Sequence, residues 1–457
     1  MRGTSDRIGG VAAARIEALR IREAAIFAAA RPKSAAAAAA PSGWLDGVPL
    51  HWMLDWPMPF RMVVDEARGA TITDVDGHRL DDFCLGDTGS MFGHSPAPVA
   101  RAIRRQAGRG LTYMLPNDDA AVVGRLLVER FGLARWQVAT TATDANRFAL
   151  RFARAVTGRP KILVFNGCYH GSVDETMVRL KDGRAINRPG LAGEFRDLTQ
   201  ATRIVEFNDV SALEAALEAR DVACVITEPV LTNSCMVLPA PGFHDALRSA
   251  TRRTGTLLLI DETHTISSGL GGYTRTFGLE PDLFVLGKPI AGGVPAAVWG
   301  MTEEVAGRWD AYQKTKEPGY SGMGTTLSAN PLQFAAMRAT LEDVMTAANY
   351  ARMERLAGRL EAGLAAAIAR SDLPWHVARV GARVEFICAP GPLANGTEAE
   401  AAHAPALEAA IHLALVNRGC LIAPFHNMML VSPATTARQV DRLAAAFGEV
   451  CAELAGH

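Results

Sequence analysis

Short uninterrupted runs of apolar residues punctuate the middle of the chain. Each is followed by a polar cluster and then by a helix-like pattern. Four stand out: 161–165 (KILVF), 222–227 (VACVIT), 256–260 (TLLLI) and 282–286 (DLFVL). Continuous apolar runs of this length suit strands buried on both faces, as in a parallel sheet. Between the first two, residues 209–220 read as a helix, with Ser211 and Glu214 spaced as a capping box and Val210, Leu213 and Leu217 on one face. Residues 137–140 (QVAT) read as a further strand. A helix follows it, with Phe148, Phe152 and Val156 on one stripe and Gly158 closing it. Strand–helix alternation of this kind predicts a doubly wound α/β sheet.

The flanks read differently. Residues 11–31 predict a helix, and the alanine run 35–40 between Pro32 and Pro41 predicts a linker or a short helical extension. Residues 70–83 alternate around Asp76-Gly77, the signature of a hairpin. From about residue 335 the pattern turns helical. Strand-like pieces follow at 376–388 and 420–431, then a last helix at 435–454, which together predict a smaller α+β domain.

Composition narrows the function classes. Hydrophobic residues make up 49% of the 457 and charged residues 21%, as expected of a chain with a substantial core. The formal net charge of −1 offers no basic excess for phosphate backbones, so nucleic acid is not an expected partner. The cysteines (Cys84, Cys168, Cys224, Cys235, Cys388, Cys420, Cys451) are odd in number and form no CxxC pair. That argues against a disulfide framework or a zinc site and points to reduced thiols in the cytoplasm. No apolar run approaches membrane-spanning length, and the N-terminus shows no signal-peptide h-region.

Open parallel sheets bind ligands beyond the carboxyl ends of their strands. There the four runs deliver Asn166-Gly-Cys-Tyr169-His170-Gly171, then Glu228-Pro229, then Asp261-Glu262-Thr263-His264, then Gly287-Lys288. An aromatic, acids and a lysine on one rim are the groups that pyridoxal phosphate needs. The amine forms a Schiff base, the carboxylate pairs with the protonated pyridine nitrogen, and the aromatic ring stacks on the cofactor. Of the lysines (Lys33, Lys161, Lys181, Lys288, Lys314, Lys316) only Lys288 directly follows a buried run, with the glycine-rich 291–293 close behind. On spacing alone, a surface lysine in a turn remains an equal reading. For the phosphate, Thr143 is the expected N-cap of the helix after QVAT, whose free N–H groups suit an anion. A cap that binds nothing is the alternative.

Taken in order, these segments resemble the class III aminotransferases, in the flavour of glutamate-1-semialdehyde aminomutase and the β-amino-acid aminotransferases. TITDVDGHRLDDF, FGHSPAPVARAI, TGRPKILVFNGCYHG, ITEPV, LLLIDETHT, PDLFVLGKPIAGG and GTTLSANP carry the likeness from about residue 60 onward. The resemblance implies an aspartate-aminotransferase-like fold (fold type I), an α/β large domain with a mostly parallel sheet plus a smaller α+β domain. The expected divisions are 1–85, which joins the small domain, 86–335 for cofactor binding and 336–457 for the rest of the small domain. It implies that Lys288 forms the cofactor aldimine and moves the substrate proton, that Asp261 holds the pyridine nitrogen and that Tyr169 stacks on the ring. Thr141, Ala142 and Thr143 match the phosphate loop, and Glu228, Asn233 and Thr263 match positions around the ring. Thr326 matches a threonine that reaches the partner subunit's cofactor, which implies a homodimer.

The chain departs from the family in the substrate region. The usual Ser-Gly-Thr-Glu-Ala loop is Thr141-Ala142-Thr143-Asp144-Ala145 here. The segment before the hairpin, where an arginine is often found, reads GVPLHWMLDWPMPF, with His51, Trp52 and Trp56. The place of a C-terminal arginine holds Phe425-His426, and the usual Glu-Val is Glu262-Thr263 followed by His264. An anionic substrate then needs another anchor. Arg383 in RVGARVEF is the candidate, with a surface arginine paired to Glu385 as the alternative. His51, His264 and His426 are candidate polar contacts, although a given one of them is more often structural, and Trp44, Trp52 and Trp56 either line the site or pack in the core. The expected activity is an aminotransferase on an amino acid or amine. A lyase or aminomutase on the same scaffold, with a hydroxy-amino or aminophosphonate substrate, is the alternative, and a non-catalytic protein of the same fold is the third reading.

Overall fold

The computed structural model describes residues 7–194 and 196–456. The chain divides into two compact units: residues 7–95, 351–392 and 402–456 form one, and 96–350 with 393–401 form the other.

The second unit is built on seven strands. In chain order they are β1 (Arg135–Ala139), β2 (Lys161–Phe165), β3 (Thr202–Val205), β4 (Val222–Thr227), β5 (Leu257–Asp261), β6 (Leu283–Leu286) and β7 (Ala297–Met301). Their spatial order is β3-β2-β4-β5-β6-β7-β1. The pairings from β3 to β6 are parallel, and those of β7 with β6 and β1 are antiparallel. All six residues of β4 are buried, as a strand covered on both faces requires. Helix α1 (Ala142–Thr157) lies on the sheet over β4, β6 and β7. Ala145, Ala149, Phe152 and Ala153 of α1 pack on Ile226, Leu259, Val285 and Trp299. Gly158 ends α1 with a left-handed φ of 68°, a conformation that glycine adopts without steric cost.

Two expected caps are corrected. Helix α1 is capped by Thr141, not Thr143: Thr141 has extended backbone and its hydroxyl accepts the Asp144 N–H, while Thr143 already lies in the first turn. Helix α2 (Val210–Leu217) is capped by Asp209, which accepts the Ala212 N–H, so Ser211 sits inside the helix and forms no capping box. The helical stretch after residue 335 is also broken. Helix 331–339 passes into a wider π turn at 340–344, and a new helix runs from Ala347 to Arg370.

The first unit contains the N-terminal helix Ala13–Ala30, packed against helix Pro405–Asn417, and the alanine run is helical from Pro32 to Ala39. The hairpin pairs Thr71–Asp74 with Arg79–Asp82 across Gly77, whose φ is 92°. A three-stranded antiparallel sheet orders His376–Val380, Arg383–Ile387 and Met428–Leu430, with the arginine strand in the middle. Among the described residues no helix is long and apolar enough to cross a membrane.

Candidate active site

The carboxyl ends of β5 and β6 lie side by side, because Asp261 pairs with Val285 and Glu262 N–H donates to the Val285 carbonyl. Thr263 continues the link: its hydroxyl accepts the Gly287 N–H at 3.4 Å. That register brings Asp261 and Lys288 to the same rim. Lys288 is half-buried, not a solvent-exposed turn lysine, and its backbone is left-handed with φ 44°. Such a conformation in a non-glycine residue is strained and tends to mark functional positions. Its Nζ lies 2.9 Å from Nε2 of His264, itself only 5% exposed.

Asp261 is buried and held from several sides. Its Oδ2 accepts His170 Nδ1 at 3.0 Å and Asn146 Nδ2 at 2.8 Å, and its Oδ1 accepts the Thr263 N–H at 3.1 Å. Burial opposes its charge, but the hydrogen bond and charge of His170, with the bonds from Thr263 and Asn146, outweigh burial and hold the carboxyl below its usual range. The same contest in His170 ends with burial overcome by the Asp261 bond, and the ring is pushed up to about 10. The two groups are therefore an ion pair at neutral pH.

Glu228 and Asn233 are also brought together. Glu228 accepts from the Thr232 hydroxyl, from the Thr232 N–H at 3.2 Å and from Asn233 Nδ2 at 3.3 Å. Burial raises the carboxyl of Glu228 above its usual range. Tyr169 is half-buried, with the Arg188 guanidinium 5.9 Å from its ring centre. At the start of α1 the Thr143 hydroxyl accepts the Ser172 N–H at 3.2 Å. A Cβ on Gly171 would stand 2.1 Å from that hydroxyl, so only glycine fits there. Ala142 faces Gly287: a Cβ on Gly287 would stand 2.7 Å from that of Ala142. Thr326 is exposed, beside a Thr325–Ser328 hydroxyl contact of 2.7 Å.

The remaining predicted residues belong to the first unit. Arg383 is not a surface residue: it is 0% exposed, in the central strand of its sheet, and its Nη2 donates to the Thr88 hydroxyl. Glu385, on the same strand face, is equally buried and lies 3.5 Å from Nδ1 of His426. His51 is exposed and packs on Trp52 at 4.4 Å between ring centres, and Trp52 meets Phe425 edge-on at 5.3 Å. Trp44 is 61% exposed and takes no part in the core.

Sequence reasoning missed Asn146 and the part His170 plays. Asn146 was detectable, since it is a polar residue on the apolar stripe of α1 beside Ala145, Ala149 and Ala153.

These residues fit pyridoxal phosphate. The half-buried amine can condense with an aldehyde, the buried anion can meet a pyridinium, and the N–H groups at the start of α1 suit a phosphate. A sheet of this order, carrying that donor set on one rim, defines a pyridoxal-phosphate enzyme of fold type I. The chain belongs to the class-III aminotransferase family, whose pattern it matches over residues 55–449. It is 34% identical over 400 residues to a glutamate-1-semialdehyde 2,1-aminomutase of Thermomicrobium roseum, covering 86% of this chain and 91% of the relative. The solved structure of a glutamate-1-semialdehyde aminomutase from Pseudomonas aeruginosa PAO1 superposes with a TM-score of 0.95 at 50% identity, covering 97% of this chain and all of that one. A β-phenylalanine aminotransferase from Variovorax paradoxus superposes with a TM-score of 0.83 at 26% identity over 95% of this chain and 97% of that one.

Proposed function

We propose that the chain moves an amino group between a small anionic amino acid or amine and a keto acid, with Lys288 as the residue that holds the cofactor and shuttles the substrate proton. The observation that carries the reading is the half-buried Lys288 on the strand end next to the Asp261 carboxylate and its His170 partner. Bound pyridoxal phosphate supplies an electron sink for bonds at the carbon that bears the amino group. Asp261, fixed by His170 and Asn146, keeps the ring nitrogen protonated. Tyr169 would stack on the ring, and Thr263, Glu228 and Asn233 would lie around it. Thr141, Ala142 and Thr143 offer backbone and hydroxyl donors to the phosphate.

Arg383 is proposed as the anion anchor. Its planar fork suits a carboxylate or phosphonate. His51 and His426 are proposed as secondary polar contacts. A homodimer is part of the reading: Thr326 lies in a segment with Tyr320 81% and Leu327 57% exposed, the kind of surface that a second copy covers. A cytoplasmic location is also part of it, supported by seven cysteines that are all buried and lack metal-ligand spacing.

Intramolecular transfer is the second reading. It is favoured by the likeness to two proteins named as aminomutases. The separating experiment mixes holoenzyme with candidate amines, glutamate-1-semialdehyde among them, without a keto acceptor. Conversion of the cofactor to its amine form with neither ammonia nor an isomer supports transamination between two substrates, and an isomer supports the mutase. Ammonia release would overturn both and assign a lyase. Retained turnover in Lys288→Ala would refute the site itself.

A further inference from the structure

The contact between Lys288 and His264 is unused by the reading above. The sequence reading offered His264 as a substrate contact, yet its Nε2 lies 2.9 Å from the amine of Lys288. Three features fix that approach. The β5–β6 register sets the two segments side by side, the Thr263 hydroxyl accepts the Gly287 N–H, and the left-handed backbone at Lys288 sets the direction of its side chain. His264 is 5% exposed, so bulk water is a poor competitor for its ring.

Resting on the assignment of Lys288 to the cofactor, we propose that His264 is the positioning residue and proton partner of Lys288. An amine can act as a base only when neutral. A lysine ammonium gives one proton to the lone pair on Nε2, leaving a neutral amine and an imidazolium. The reverse transfer supplies the proton that the lysine nitrogen must gain when an incoming amine displaces it from the cofactor. The exchange between the two side chains changes only N–H bonds; in the displacement the link to the lysine nitrogen is replaced by one to the incoming nitrogen, and the proton which that nitrogen sheds to His264 is the one returned to the lysine. Imidazole is suited to this exchange because its ordinary pKa lies near neutrality. The other acids of the rim are committed elsewhere. Asp261 is held by His170 and Asn146, Glu228 by Thr232 and Asn233, and Glu262 by the Thr265 hydroxyl and the N–H groups of Tyr273 and Thr274.

The test uses resting holoenzyme and hydroxylamine, which displaces the lysine from the cofactor and is followed by loss of the visible absorbance of the lysine-linked form. The wild type is compared with His264→Gln, which keeps a hydrogen-bond donor but takes no proton, and with His264→Met and His264→Ala. The wild-type displacement rate should show a titration limb. In the Met variant the limb should vanish and the rate fall by about 10²-fold, the usual worth of a placed acid–base group. The Gln variant should lose the limb with a smaller fall in rate, and added imidazole should accelerate the Ala variant but not the wild type. An unchanged pH profile in the Met variant overturns the proposal. So does loss of the lysine link in every variant, which would make His264 a structural residue. A wild type whose Lys288 is not trapped by borohydride would instead sink the assignment of the cofactor lysine.

Discussion

A single methyl group added at Gly287 should disturb the cofactor rim from beneath. The backbone φ there is −113°, outside the left-handed region, and the contact made by the added Cβ is the main effect expected of Gly287→Ala. The new Cβ would lie 2.7 Å from the Cβ of Ala142, 3.3 Å from its N and 3.4 Å from its Cα, against about 3.5–4.0 Å for relaxed carbon contacts. Ala142 is the first residue of α1 and follows the Thr141 cap, so it cannot recede without moving the start of that helix. Overpacking of this sort costs about 1–3 kcal/mol. Relief would have to come from residue 287, which drags Lys288 with it. Ala142→Gly removes the closest atom and by itself costs at most about 1 kcal/mol. The double variant should therefore recover at least about 1 kcal/mol relative to the sum of the singles, well outside the scatter expected of independent sites. Urea unfolding of the holoenzyme measures the stability cycle, and cofactor release on dilution measures its effect on the rim. Strict additivity in both would refute the claim that the alanine at 142 is tolerated only because glycine faces it.

Further outcomes follow from the charged groups. Asp261→Asn should lower turnover by about 10²–10³-fold, in line with removal of a preorganised electrostatic partner, and near-normal steady-state rates would show that the ring nitrogen is not held this way. Replacing His170 with asparagine should expose a pH dependence. Its folded-state pKa is raised to about 10 from 6.5, so its ionic contribution is complete below the unfolded value and is lost as pH climbs through about 10. The gap in urea midpoint between wild type and His170→Asn should shrink from about pH 6.5 to 10; a gap independent of pH would contradict the ion pair. For Arg383→Ala, loss of a charged hydrogen-bonded anchor worth about 1.5–3 kcal/mol predicts a rise in KM of about 10–100-fold for anionic substrates. An unchanged KM would move the anchor elsewhere.

The sheet was legible because its central strands are buried on both faces: KILVF and VACVIT are β2 and β4 with the bounds that their apolar runs suggest. The strands β3 and β7 were not read from the sequence. TRIV carries an arginine at the sheet edge, and AVWGM contains a glycine, so neither gives an uninterrupted apolar signal. Looking at the carboxyl ends of the strands put Asp261 and Lys288 on one rim, which is where the structure has them. It could not find that His264 points at Lys288, because that depends on the register of β5 against β6 and not on spacing within either. The cap at Thr141 was missed by two residues, since Thr141 and Thr143 carry the same side chain and only backbone dihedrals separate cap from first turn. Arg383 shows the limit of alternation. Its two-residue spacing from Glu385 says that they share a face, but not that the strand is central and both are fully buried.

Lys288 occupies a backbone conformation in which glycine or asparagine would sit more comfortably, by about 1–2 kcal/mol for the former. Backbone conformation alone gives no reason to prefer lysine here. On the proposed role of Lys288, drift after the loss of selection for chemistry would favour glycine there, and a chain so changed would keep its architecture while losing its reaction. Thermal robustness of such an inert descendant is thus no sign that it still works.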